Sequence, residues 1–144
     1  NMRAREEAMY VLIEMKNIST PYLISASSSL DREIRMRSIF ALGQIGDERS
    51  IPVISKALLN DIDKNIRIAA LKLVSEHFVD EIAIPLFIKA LNDQELEIRT
   101  EIWEVIKKRT KTKIAFNPND SIEERNKAIE ALIKWWKETH PNAF

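Results

Sequence analysis

The chain has 144 residues, of which 45% are hydrophobic, enough for one domain with a core of its own. Its 22 basic and 22 acidic residues cancel, which argues against binding to nucleic acid or membrane surfaces through bulk charge. The absence of cysteine excludes a disulfide framework and a thiolate metal site, and no apolar run approaches the ~20 residues of a membrane span.

Two glycines and five prolines are few breakers for this length, and no alternating β-branched runs are bounded by tight-turn pairs, so the chain reads as all-α. The opening "NMRAREEAMY" has no apolar stretch behind its basic residues and is not a signal peptide. An Asn ahead of a Met reads either as a residue left by expression cloning or as a fragment boundary.

The first predicted helix covers 2–16, with Arg5, Ala8, Met9 and Leu12 at i, i+3, i+4 and i+7. The second, 20–29, opens at Pro21, which suits a first helical turn because a proline there gives up no hydrogen bond. The third, 32–45, carries Arg35 followed by Ser38, Ile39 and Leu42 at the same spacing. It runs into "ALGQIGDERSIP", which holds both glycines of the chain. A G-x-x-G-D run invites comparison with a phosphate cradle, but the equivalent later join has Ser75 and Phe78 where Gly43 and Gly46 stand. Gly43 is therefore read as room for a neighbouring helix, Gly46 as a left-handed helix end, and Asp47 as an acceptor for the next turn's N–H groups. Further helices follow at 50–60, 64–78, 82–92 and 95–109, the first and third of them placed by Pro52 and Pro85. After a linker at 110–120, Ser121 and Glu124 form an S-x-x-E capping box for a last helix, 121–139. Ile122, Ile129, Leu132, Ile133 and Trp136 are expected on its apolar side.

The helices repeat. Ile34-Arg35, Ile66-Arg67 and Ile98-Arg99 recur at intervals of 32, and Pro21, Pro52 and Pro85 at 31 and 33. An acid stands four residues before each Arg (Asp31, Asp63, Glu95), and another six before the last two (Asp61, Asp93). Each unit is thus a proline-type helix, an acidic turn and an Arg-bearing helix, whose wide apolar stripe is buried by stacking on the next unit. In "DREIRMRSIFALGQIGDERSIPVISKALLND" and "DKNIRIAALKLVSEHFVDEIAIPLFIKALND" the chain resembles the HEAT-like repeats, including the short bacterial subtype named after phycobilisome lyases. The resemblance spans roughly residues 1–110 and implies a right-handed α-solenoid of stacked helix pairs with about eight helices in a single domain. It also implies a ladder of turn acids and arginines joining neighbouring repeats, with Asp61/Arg67 and Asp93/Arg99 fitting that role. For Arg35, Ser29 stands at the acid position, with Asp31 as a substitute. The segment 121–139 resembles the terminal cap of such arrays. Helix 2–16 lacks a proline-type partner: either it caps itself, or the chain is cut from a longer array, the favoured reading, or another molecule covers its open side.

No constellation points to catalysis, a cofactor or a metal. His77 falls at a helix end beside the core, and His140 lies in the tail, expected in solvent. Glu97, Glu101 and Glu104 share a helix side, where Lys107 and Lys108 suit ordinary surface pairing. "KKRTKTK", Lys107 to Lys113, either complements a helix C-terminus or binds an anion, the latter giving a nucleic-acid-binding alternative of the DNA-repair type. A bilin-lyase role, implied only by the subtype's name, has no distinctive pigment site. Trp103 and Trp136 are expected in the core; Trp135 either packs on Phe116 or offers a binding aromatic.

The leading expectation is a non-enzymatic scaffold that binds a protein, as a peptide or helix, on the concave side lined by the Arg-bearing helices. Alignment on the arginines gives one row of Tyr10, Phe40, Lys72 and Glu104. Four residues earlier come Glu6, Met36, Ile68 and Thr100, and three later Ile13, Gly43, Ser75 and Lys107. Tyr10, Met36, Phe40 and Ile68 are either core residues or the apolar half of a groove whose other half, at Lys72, Glu104 and Lys107, is charged.

Overall fold

The computed structural model of the chain describes residues 1–15 and 18–144; the side chains of Leu12 and Ile13 lie outside that description, as does Lys16 of the first expected helix. Eight α-helices are present among the described residues: α1 (Met2–Glu14), α2 (Thr20–Ala26), α3 (Arg32–Ile45), α4 (Ile51–Asn60), α5 (Lys64–His77), α6 (Asp80–Ala90), α7 (Leu96–Thr110) and α8 (Ile122–Thr139). No strand occurs among them.

The chain divides into two compact units, Asn1–His77 and Phe78–Phe144. In the first, α2 pairs with α3 and α4 with α5, while α1 and α5 both pack against α3. Ile39, Leu42, Ile54, Leu58, Leu71 and Val74 are sealed from solvent there. In the second, α6 packs against α7 and α8, around Ile84, Phe87, Ile98, Ile102, Ile106 and Leu132.

Several helix limits shift from the sequence expectation, and those of α2 and α6 have a visible physical reason. Helix α2 stops at Ala26 instead of residue 29, and the Ser27 hydroxyl donates to the Ile24 carbonyl at 2.6 Å. Serine side chains compete in this way for backbone groups and favour turns over helix interiors. Helix α6 starts at Asp80, so Pro85 lies inside it and not in its first turn. Asp80 and Glu81 bring negative charge to that N-terminus, where the macrodipole favours it.

The glycine-bearing join behaves as expected. Gly46 ends α3 at φ 71°, and the Asp47 carboxylate accepts from the Arg49 N–H at 2.9 Å. A Cβ on Gly43 would stand 2.5 Å from Leu73 Cδ2, so the missing side chain leaves the space that the Leu73 side chain of α5 fills.

One arginine device recurs at the helix joins. Nη1 of Arg35, Arg67 and Arg99 donates to the carbonyl six residues earlier, of Ser29, Asp61 and Asp93 respectively, at 3.1, 2.8 and 2.8 Å. These carbonyls follow the preceding helix, where acceptors lack intrahelical donors. The device needs a main-chain oxygen, not an acid, so Ser29 serves as well as an aspartate. The Ser29, Asp61 and Asp93 side chains each accept from the N–H two residues on. The Asp61 carboxylate then takes Arg35 Nε and Nη2 at 3.0 and 3.1 Å. The rung is thus shifted by one repeat from the expected pairing: the carboxylate of Asp61 meets the earlier Arg35, and Arg67 meets Asp61 through its carbonyl. A second strut runs beside it, from Arg32 Nε to Asp63 at 2.6 Å.

In the second unit, Arg99 Nε donates to the Pro118 carbonyl of the linker at 2.9 Å. Burial pushes the Arg99 pKa down, and nearby Arg125 adds to that. Arg125 is buried, with Nη1 on the Asp120 carbonyl at 2.7 Å and Nε without an acceptor, while Ile122, expected on the apolar side, is 62% exposed. The Ser121 hydroxyl caps α8 by accepting from the Glu124 N–H at 3.2 Å. His140, expected in solvent, is half-buried and stacked on the Trp136 indole, with centroids 3.8 Å apart and planes within 3°. Trp103 and Trp136 are buried, and Phe116 packs its ring against Trp103 rather than Trp135, which meets Trp136.

Candidate functional site

The Arg-bearing helices of the first unit, α1, α3 and α5, enclose a groove of about 400 Å³. Helix α3 contributes Met36, Phe40 and Gln44, a ridge in steps of four residues, with Arg37 beside it. Helix α1 contributes Glu6, Met9 and Tyr10, and α5 contributes Ala69, Lys72, Leu73 and Glu76. Leu73 is the residue that packs against bare Gly43, so the close approach of α3 and α5 builds this part of the wall.

Tyr10 and Phe40 are 69% and 53% exposed, and Met36 is half-buried. They are neither core residues nor lone surface apolar groups but neighbours along one groove. Exposed apolar surface of this contiguous kind marks interaction sites on soluble proteins.

The structure brings together Tyr10, Met36, Phe40 and Lys72 of the expected partner-binding residues. Ile68 is half-buried on α5 and does not line the groove; Ala69, one residue and about 100° further round the helix, takes that place. Glu104 and Lys107 belong to the second unit, where they pair with each other at 2.6 Å. Ile13 lies outside the described side chains. Arg37, Gln44 and Glu76 were not anticipated. Gln44 and Glu76 continue the ridges of Phe40 and Lys72 by four residues, and stepping i+4 instead of i+3 reaches them.

The basic cluster is divided in its contacts. Lys107 pairs with Glu104 and lies 5.9 Å from the Trp103 ring centroid. Arg109 Nε donates to Asp80 at 2.7 Å, and its Nη2 donates to the Phe78 carbonyl at 3.2 Å. Lys111 ends α7 at φ 53°. Among the described residues, no group of three or more His, Cys, Asp or Glu side chains is placed to hold a metal ion, and no helix is long and apolar enough to cross a membrane.

The geometry is that of helix pairs joined by a repeated Arg-to-carbonyl device, and the family model for HEAT repeats matches residues 3–75 and 20–107. The chain belongs to the HEAT repeats. The matched model describes HEAT repeats as such, not the lyase-named subtype. Among curated proteins none matches the chain. In these HEAT repeats the Arg-bearing helices carry both the ladder, at their N-terminal ends, and the groove, along the turns that follow.

Proposed function

We propose that this HEAT-repeat chain is a non-enzymatic interaction scaffold that holds an apolar peptide or helix from a protein partner in the groove of α1, α3 and α5. The observation that carries this reading is the pair of exposed rings, Tyr10 and Phe40, on neighbouring helices with Met36 beside them. An amphipathic helix laid along such a groove would place apolar anchors at i, i+3, i+4 and i+7 against these side chains. Aromatic residues dominate the energetics of interfaces of this type.

Recovery of partners from the source cell by the wild type and by a Tyr10→Ala/Phe40→Ala variant tests the reading. Loss of a partner with the variant supports it; equal recovery by both proteins removes the groove assignment. The ring-bearing positions are exposed, so the double variant is expected to keep its helical circular dichroism.

The competing reading, nucleic-acid binding through Lys107–Lys113, draws support from exposed Lys108, Lys111 and Lys113. It is weaker because Lys107 and Arg109 of the same cluster are engaged with acids of the chain, and no aromatic residue interleaves the run. A low-salt polarisation titration with labelled duplex and single strands decides it: no binding at micromolar protein removes this class.

A further inference from the structure

The groove is lined by two cations, Arg37 and Lys72, and two acids, Glu6 and Glu76, and the half-buried Arg37 makes no pairing with either acid. Arg37 lines its α3 wall between Met36 and Phe40 and is half-buried. Its Nη1 is sealed from solvent and has no hydrogen-bond acceptor, and among the described residues its guanidinium forms no ion pair. A guanidinium stays protonated at any ordinary pH, so it cannot relieve this by losing its proton. Nη1 is out of a ligand's reach, but Nε and Nη2 are neither sealed nor hydrogen-bonded among the described residues, and they are the donors a bound acceptor meets side-on.

Arg37 differs from the half-buried Arg35 and Arg109, whose guanidinium groups have partners, Asp80 and the Phe78 carbonyl in the case of Arg109. Arg35, two residues earlier, satisfies its guanidinium with the Ser29 and Leu30 carbonyls and the Asp61 carboxylate. Arg37 points to the other side of the helix, about 200° away, where no turn supplies an acceptor. Two acids, Glu6 and Glu76, line the same groove, but both are exposed and neither pairs with Arg37; the contact of Glu76 is with His77, at 3.8 Å. Exposed charges are screened by water and salt, whereas a half-buried one beside Met36 and Phe40 acts in a lower dielectric.

We infer that the groove's ligand carries a carboxylate beside its apolar anchors, an Asp or Glu within one helical turn of them, and that Arg37 receives it. This rests on the groove reading above and adds the ligand's charge. An Arg–carboxylate pair in a part-buried site forms charge-assisted, bidentate bonds and fixes the register of the apolar contacts. Tyr10 and Phe40 then supply contact area, and Arg37 selects among apolar helices.

A displayed library of random 16-residue peptides, selected on the full chain, tests this. Binders to the wild type should be enriched in an acid three or four positions from an apolar residue, and selection on Arg37→Gln should keep the apolar anchors while losing the acid. For one synthesised binder, Arg37→Gln should weaken binding by about tenfold or more, and by less than about twofold once the peptide's Glu is Gln. Arg37→Gln should keep the wild-type circular dichroism and melting temperature, since its guanidinium holds no partner in the fold. Binders without acid enrichment, enrichment in Lys or Arg, or equal affinity of wild type and Arg37→Gln would overturn the carboxylate assignment and leave the groove standing. Failure to select any binder displaced by Tyr10→Ala/Phe40→Ala would overturn both.

Discussion

Gly46 has φ 71° and nothing within 4 Å of where a Cβ would lie, so the cost of a side chain there is conformational and not steric. Gly46→Ala should destabilise the chain by about 1 kcal/mol, and Gly46→Asn by less, because Asn tolerates the left-handed region better. Urea denaturation of the two variants reads the difference. One residue on, the Arg49 side chain, followed by its backbone N–H, holds the Asp47 carboxyl at about 2, below its ordinary value of 3.8. A carboxylate with a depressed pKa adds stability that is present above its ordinary value and lost as pH falls toward its folded one. The melting temperature of the wild type should therefore fall more steeply than that of Asp47→Asn between about pH 4 and about pH 2. Both roles, the left-handed Gly46 and the turn-accepting Asp47, are legible in the sequence, because each residue type has a short-range reason to be where it is.

At the scale of the helices, the Arg35–Asp61 rung joins the acid of one turn to the arginine of the helix pair before it, with side chains only 11% and 9% exposed. Breaking a buried pair strands the remaining charge, so Arg35→Gln and Asp61→Asn should each cost about 3 kcal/mol. The double variant should cost less than their sum, with a coupling of about 1–3 kcal/mol in a denaturation cycle. Additive losses would show that the two side chains stabilise the fold separately. The existence and order of the helices were readable from the period of the apolar residues and from Pro21 and Pro52, which stand in first turns. The rung's partner was not, since the sequence shows an acid six residues before an arginine but not that the arginine spends Nη1 on a carbonyl and turns its other nitrogens outward. The place of Pro85 was missed for a related reason: a proline signals a helix start only when no charge upstream makes a better one, and Asp80 and Glu81 do. Ile122 left its expected place because the first residue of a helix has little to pack against, while Arg125 is buried with Nη1 on the Asp120 carbonyl and its Nε without an acceptor.

Over the whole chain, the two units carry different equipment. Both described tyrosines, Tyr10 and Tyr22, lie in Asn1–His77, and Trp103, Trp135 and Trp136 all lie in Phe78–Phe144. Indole emission therefore reports the second unit. The repeat made Tyr10, Met36, Phe40 and Lys72 legible as one surface from sequence spacing, while Glu104 and Lys107, which the same alignment adds, belong to the other unit and bind each other. Alignment finds equivalent positions in each repeat; it does not show where a groove ends or which charge inside it lacks a partner. The most direct test of the central claim is a map of backbone amide shifts of the isotope-labelled chain on addition of an apolar helical peptide carrying one Glu. Shifts concentrated on α1, α3 and α5 around Tyr10, Arg37, Phe40 and Lys72 are the predicted result. A spectrum that moves only at Lys107–Lys113, or does not move at all, would contradict it.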